Sequence, residues 1–170
     1  MVQTEKHSGI FFGWWVVIAC AIIGLFAGSS RFSFTMFLPT LLEDLGWTRA
    51  MLGFGFTLHM WTYAVVAILV GILVDRYGAR LVMTGGGLFL LLGLVLTSTM
   101  TAIWQFYLYY GIILGIGVSS TLAVPGIGTA RKWFTRKAGL AVAVAAGGGG
   151  LGLALMAFVA PSLISAYGWR

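Results

Sequence analysis

The sequence predicts an all-α polytopic membrane protein with about five transmembrane helices. Its mean hydropathy is +1.01, and 60% of its residues are hydrophobic. Only 8% are charged, where a soluble domain carries about a quarter. The apolar residues come in long runs, and a helix needs about 20 of them to cross a hydrocarbon core ~30 Å thick. The net charge of +6 does not point to nucleic acid, because the bases sit at the ends of apolar runs and not on a polar face.

The first run extends from about Ile10 to Leu38 and holds one charge, Arg31. Lys6 and His7 precede it, but it is too long and too Trp-rich for a cleaved signal, so it is expected to stay as a span. The second run, about Met51 to Val74, contains His59, and Thr48 is placed to cap it. No charge lies between Arg80 and Arg131, a stretch too long for one crossing. Its polar cluster, Thr97-Ser98-Thr99-Met100-Thr101, divides a third span (about Leu81 to Leu96) from a fourth (about Ile103 to Ala130). Pro125-Gly126 is expected to kink the end of the fourth. The fifth runs from about Ala138 to Ala160, with Pro161 bending its end.

Basic residues set the orientation. A cytoplasmic N-terminus places Lys6, Arg76, Arg80, Arg131, Lys132, Arg136 and Lys137 inside and only Arg49 and Arg170 outside, the positive-inside bias. Trp14, Trp15 and Trp133 then fall at inner borders and Trp47, Trp104 and Trp169 at outer ones. The outer loop between the first two spans covers Leu38 to Ala50, with Glu43 and Asp44 solvated. Gly24 and Gly28, Gly111 and Gly115, and Gly148 and Gly152 are each four apart, with Ala141 and Ala145 on a similar stripe. That spacing lets helix backbones approach in a bilayer.

Two motifs carry a resemblance. Gly71-Ile72-Leu73-Val74-Asp75-Arg76-Tyr77-Gly78-Ala79-Arg80 joins two spans and resembles the loop between spans two and three of the major facilitator superfamily. Trp133-Phe134-Thr135-Arg136-Lys137-Ala138-Gly139-Leu140-Ala141 resembles the fourth-to-fifth-span motif of that family's monocarboxylate-transporter-like branch, as do Gly13-Trp14-Trp15-Val16-Val17 and the first outer loop. The resemblance implies that residues 1–170 form the N-terminal bundle of a twelve-span carrier built from two six-span halves, so that the chain is a fragment whose second half is missing. Two departures stand out. Ser8-Gly9 occupies the place of an acid in animal members of the branch, and Gly111 that of an arginine common in proton-coupled facilitators.

Arg31 is the leading substrate-site candidate. A charge within a span costs at least about 2.5–3.5 kcal/mol, so it faces a cavity or a partner, and its fork matches a carboxylate. The alternative is snorkelling to the outer surface. His59 titrates near neutrality and shares a helix face with Tyr63 four residues on; both are substrate-binding candidates, against a packing role for the histidine. The resemblance assigns Asp75, Arg76, Arg80 and Arg131 to an inner gate, against a solvated turn with topology-setting charges. The basic cluster from Arg131 to Lys137 also suits anionic lipid.

Neither metal nor cofactor is expected: two histidines and one cysteine lie far apart. Cys20 reads as apolar filler. The glycines at 147–152 follow no strand, and no acid occurs after Asp75, which excludes a dinucleotide site. No catalytic residue emerges. The expected function is secondary transport of a small organic anion, monocarboxylate-like, by alternating access in a bacterial plasma membrane, with membrane lipids as surroundings. The competing readings are a standalone five-span protein with a structural or assembly role and, more weakly, a half-size carrier that pairs.

Overall fold

A computed structural model describes residues 12–122 and 138–167. Among these residues every regular element is helical. α1 spans Phe12–Leu45, α2 Arg49–Tyr77 and α3 Ala79–Ser98. α4 is continuous through three pieces: Ile103–Phe106, a π-helical stretch Tyr107–Leu114, and Gly115–Thr121. α5 spans Ala138–Tyr167. Four helices, α1, α2, α3 and α5, are long and apolar enough to cross a membrane. Their outer faces carry large exposed side chains such as Trp61, Ile68, Leu88 and Phe158. In a bilayer, lipid and not water covers such faces.

α1 differs from the expectation. It passes through Pro39 and ends at Leu45, so the loop expected over Leu38 to Ala50 shrinks to Gly46, Trp47 and Thr48. The physical reason is the packing beyond the proline. Leu41 is buried, and Leu42 and Leu45 rest on the same aromatic cluster as Phe34 and Phe106. That contact outweighs the one hydrogen bond a proline removes. Glu43 and Asp44 therefore sit, exposed, on the last turn of α1. α5 likewise runs through Pro161 to Tyr167. Pro125-Gly126 and the motif from Trp133 to Lys137 lie outside the described residues.

The connections are tight. Thr48 caps α2, its Oγ1 accepting from the Met51 N–H at 3.3 Å. Gly78 alone links α2 to α3, with φ 85°, a region where a Cβ is disfavoured. The Gln105 side-chain oxygen accepts from the backbone N–H of Thr101 (2.8 Å) and Ala102 (3.1 Å), closing the start of α4.

α4 is central, touching α1, α2 and α3, while α5 packs on α1. The α1–α5 seam is backbone on backbone: a Cβ built on Gly28 would lie 2.7 Å from the Gly149 Cα. One on Gly148 would lie 2.9 Å from the Ala21 Cα. Gly111 and Gly115 instead make room on α4 for the side chains of Leu58 and Thr62 of α2. Gly86, Gly93 and Gly117 bring α3 onto α4. The main core gathers Phe34, Leu41, Leu52, Met100, Phe106, Tyr110, Leu114 and Val118 from α1, α2 and α4 with the Met100 turn.

Candidate functional site

Arg31 leaves α1 toward α2. Its guanidinium carbon lies 4.5 Å from the centre of the Tyr63 ring and 5.5 Å from that of Phe32. Nη2 donates to the Met60 Sδ at 2.9 Å. Nε is buried without a hydrogen-bond partner. These are soft contacts: a cation over a ring gains roughly 0.5–2 kcal/mol depending on desolvation, and a thioether is a weak acceptor. Among the described residues no carboxylate pairs with Arg31; the acids there, Glu43, Asp44 and Asp75, lie at or near helix ends.

His59 sits one turn before Tyr63 on α2. It is 0% exposed. Its Nδ1 lies 3.0 Å from the carbonyl oxygen of Tyr110. A carbonyl only accepts, so Nδ1 carries the hydrogen. Nε2 is buried without a partner. The imidazole stacks on the Tyr110 ring, with centroids 4.9 Å apart and planes 24° from parallel. Arg31 and Tyr63 thus touch, and His59 joins them through Tyr110, whose hydroxyl donates to the Arg31 carbonyl at 3.2 Å.

Met60 and Tyr110 carry no mark in the sequence. Met60 is one thioether in an apolar run. Tyr110 closes the string Tyr107-Leu108-Tyr109-Tyr110, which looks like an interfacial belt. The π-helical stretch that sets the register of Tyr110 has no compositional signature either, although π turns recur at functional positions.

The gate candidates lie apart from this cluster. Asp75, Arg76 and Arg80 bracket the Gly78 joint and are all exposed. Arg76 lies over the ring of Tyr77 at 5.5 Å. Arg131 lies outside the described residues. A cavity of about 150 Å³ opens between α1, α3 and α4, lined mainly by Phe34, Phe37, Leu94, Phe106, Tyr110 and Leu114. The hydroxyls of Ser30, Ser33, Thr97 and Ser98 at its edge turn back onto carbonyls of their own helices. Its wall is therefore apolar in character.

Among the described residues, Arg31 is a cation within the first helix without a carboxylate partner, and a single glycine joins the second helix to the third between Arg76 and Arg80. The Major Facilitator Superfamily profile matches residues 11–170. The chain belongs to the major facilitator superfamily. Among curated relatives, chicken (Gallus gallus) monocarboxylate transporter 4 is 30% identical over 165 residues, covering 93% of this chain and 33% of its own length. Mouse (Mus musculus) monocarboxylate transporter 11 is 32% identical over 168 residues, covering 93% and 36%. Human (Homo sapiens) monocarboxylate transporter 2 is 28% identical over 160 residues, covering 93% and 33%. This major facilitator chain therefore spans about a third of the length of the curated relatives it matches. It is an integral membrane protein whose sequence is similar to that of these monocarboxylate transporters.

Proposed function

We propose that this major facilitator chain forms the first helices of a secondary carrier that moves small organic anions, monocarboxylates among them, by alternating access. In this reading a second half faces it across the substrate cavity, and the N-terminus lies in the cytoplasm of a bacterial cell. The observation that carries the proposal is Arg31. A guanidinium within a bundle is held against a cost of several kcal/mol, and its neighbours here are a ring and a thioether. Such partners supply no counter-charge among the described residues and leave Nε without an acceptor, an arrangement that a carboxylate would complete. Tyr63 walls the site under the guanidinium, and His59 supports it from the adjacent turn.

The inner gate belongs to the same proposal. Asp75, Arg76 and Arg80 are the charges at the Gly78 joint, and Arg131 is their expected partner. Exposed and unburied, they are available to pair with a facing half as it closes, which is how a short charged turn can hold one of two states.

The test is uptake of a labelled monocarboxylate by the complete protein in liposomes. Arg31→Ala is expected to lower uptake ~100-fold or more, as truncation of a buried charge-pair partner does. Unchanged uptake at normal protein level would overturn the reading.

A further inference from the structure

We propose that Tyr110 is a positioning residue of the anion site: its hydroxyl holds the Arg31 segment of α1 while its ring and carbonyl hold His59 of α2. The inference rests on the proposed role of Arg31 and adds a residue that does not itself touch the anion. Tyr110 is 4% exposed, and its hydroxyl and its carbonyl are both committed to the cluster. The O–H donates to the Arg31 carbonyl at 3.2 Å. The carbonyl accepts from His59 Nδ1 at 3.0 Å. The ring stacks on His59 and, on Phe106, lies 5.1 Å away and 7° from parallel. Phe34 of α1 closes the other side at 5.0 Å. One side chain thus ties together the two helices that build the site.

The placement follows from the local backbone. Tyr110 lies inside the π-helical stretch Tyr107–Leu114, where the wider turn offsets side chains from α-helical register. The next residue is Gly111, against which Leu58 of α2 packs 2.9 Å from where a Cβ would stand. That close approach brings His59, next to Leu58, within reach of the Tyr110 carbonyl. The bond fixes the imidazole tautomer and orientation, and hence the face it presents beside Met60 and Tyr63.

A residue acting this way changes how well Arg31 is aimed and leaves the rest of the cycle intact. Tyr110→Phe keeps the ring and its stacks and removes only the donor. Uptake by the complete protein in liposomes, measured over a range of carboxylate concentrations, should show KM raised about three- to tenfold, the loss of one neutral hydrogen bond, with maximal rate within twofold. The same substitution in an Arg31→Lys background should leave KM where Arg31→Lys alone puts it, because positioning acts through the guanidinium. Additive effects, or a lower maximal rate and melting temperature at unchanged KM, would make Tyr110 a packing residue and overturn the proposal. Should Arg31→Ala spare uptake, the anion-site reading itself falls. Should Arg31→Ala abolish uptake while Tyr110→Phe leaves KM alone, only the positioning role falls.

Discussion

The two interfaces made by α1 use opposite means. At its middle, α1 meets α5 with almost nothing between the backbones: Gly24, Gly28, Gly148, Gly149 and Gly152 interlock, and the Ser29 hydroxyl donates to the Gly152 carbonyl at 3.0 Å. From Arg31 onward it meets α2 and α4 through large side chains: Phe34, Phe56, Phe106 and Tyr110 stack on one another, with His59 and Arg31 at the margin. The change of style occurs within a single turn. In a bilayer, where association of helices rests on van der Waals contact and not on release of water, both solutions are tight. Among the described residues, buried nitrogens without partners, Arg31 Nε and His59 Nε2, occur only in the second. A buried unsatisfied group calls for an explanation, and the anion site proposed above supplies one.

The contrast can be broken most forcefully at Gly28. Gly28→Leu pushes a side chain into the Gly149 backbone, which has no rotamer to change. The expected loss is at or above ~3 kcal/mol, the upper range for overpacking, read as a collapse of the melting transition in lipid nanodiscs. The aromatic side should respond more mildly. Phe34→Ala leaves a cavity beside Phe106 and Tyr110, but lipid replaces water as the reference, so about 2 kcal/mol is expected, below the usual figure for a buried phenylalanine. A melting temperature lower for Phe34→Ala than for Gly28→Leu would invert the comparison. Ser29→Ala is the finest probe. It removes a side-chain hydrogen bond between α1 and α5, and about 0.6 kcal/mol is expected. A larger cost would mean that the glycine seam leans on polar contacts after all.

Much of this was legible in the residues. Runs of apolar side chains place the helices, and glycines four apart at 24 and 28 and at 148 and 152 announce close-packing faces, without saying that the two faces meet each other. Arg31 stands out because charge is scarce, and that His59 and Tyr63 share a face of α2 follows from their i+4 spacing; that this face meets Arg31 is a tertiary fact. The end of α1 was hidden, since Pro39 and two acids look like a loop and the packing of Leu41 and Leu45 is a tertiary fact. Gly55 under Phe106, Gly86 under Ser120 and Gly93 under Leu114 were hidden as well, because each meets a larger residue and not a second glycine. Tyr110 and Met60 were illegible for a different reason. Their roles depend on a π-helical register and on which atoms face Arg31, neither of which leaves a pattern along the chain.

Gly78 leaves no spare length between a helix of 29 residues and one of 20. At 1.5 Å per residue these are rods of roughly 43 Å and 30 Å. Joined through one residue, they have no loop between them to absorb a relative movement. In the proposed cycle, a rotation of α2 beside the Arg31 cluster would be delivered to the pivot where Arg76 and Arg80 stand. Lengthening the pivot by even one flexible residue would uncouple the arms while leaving each arm's own packing untouched.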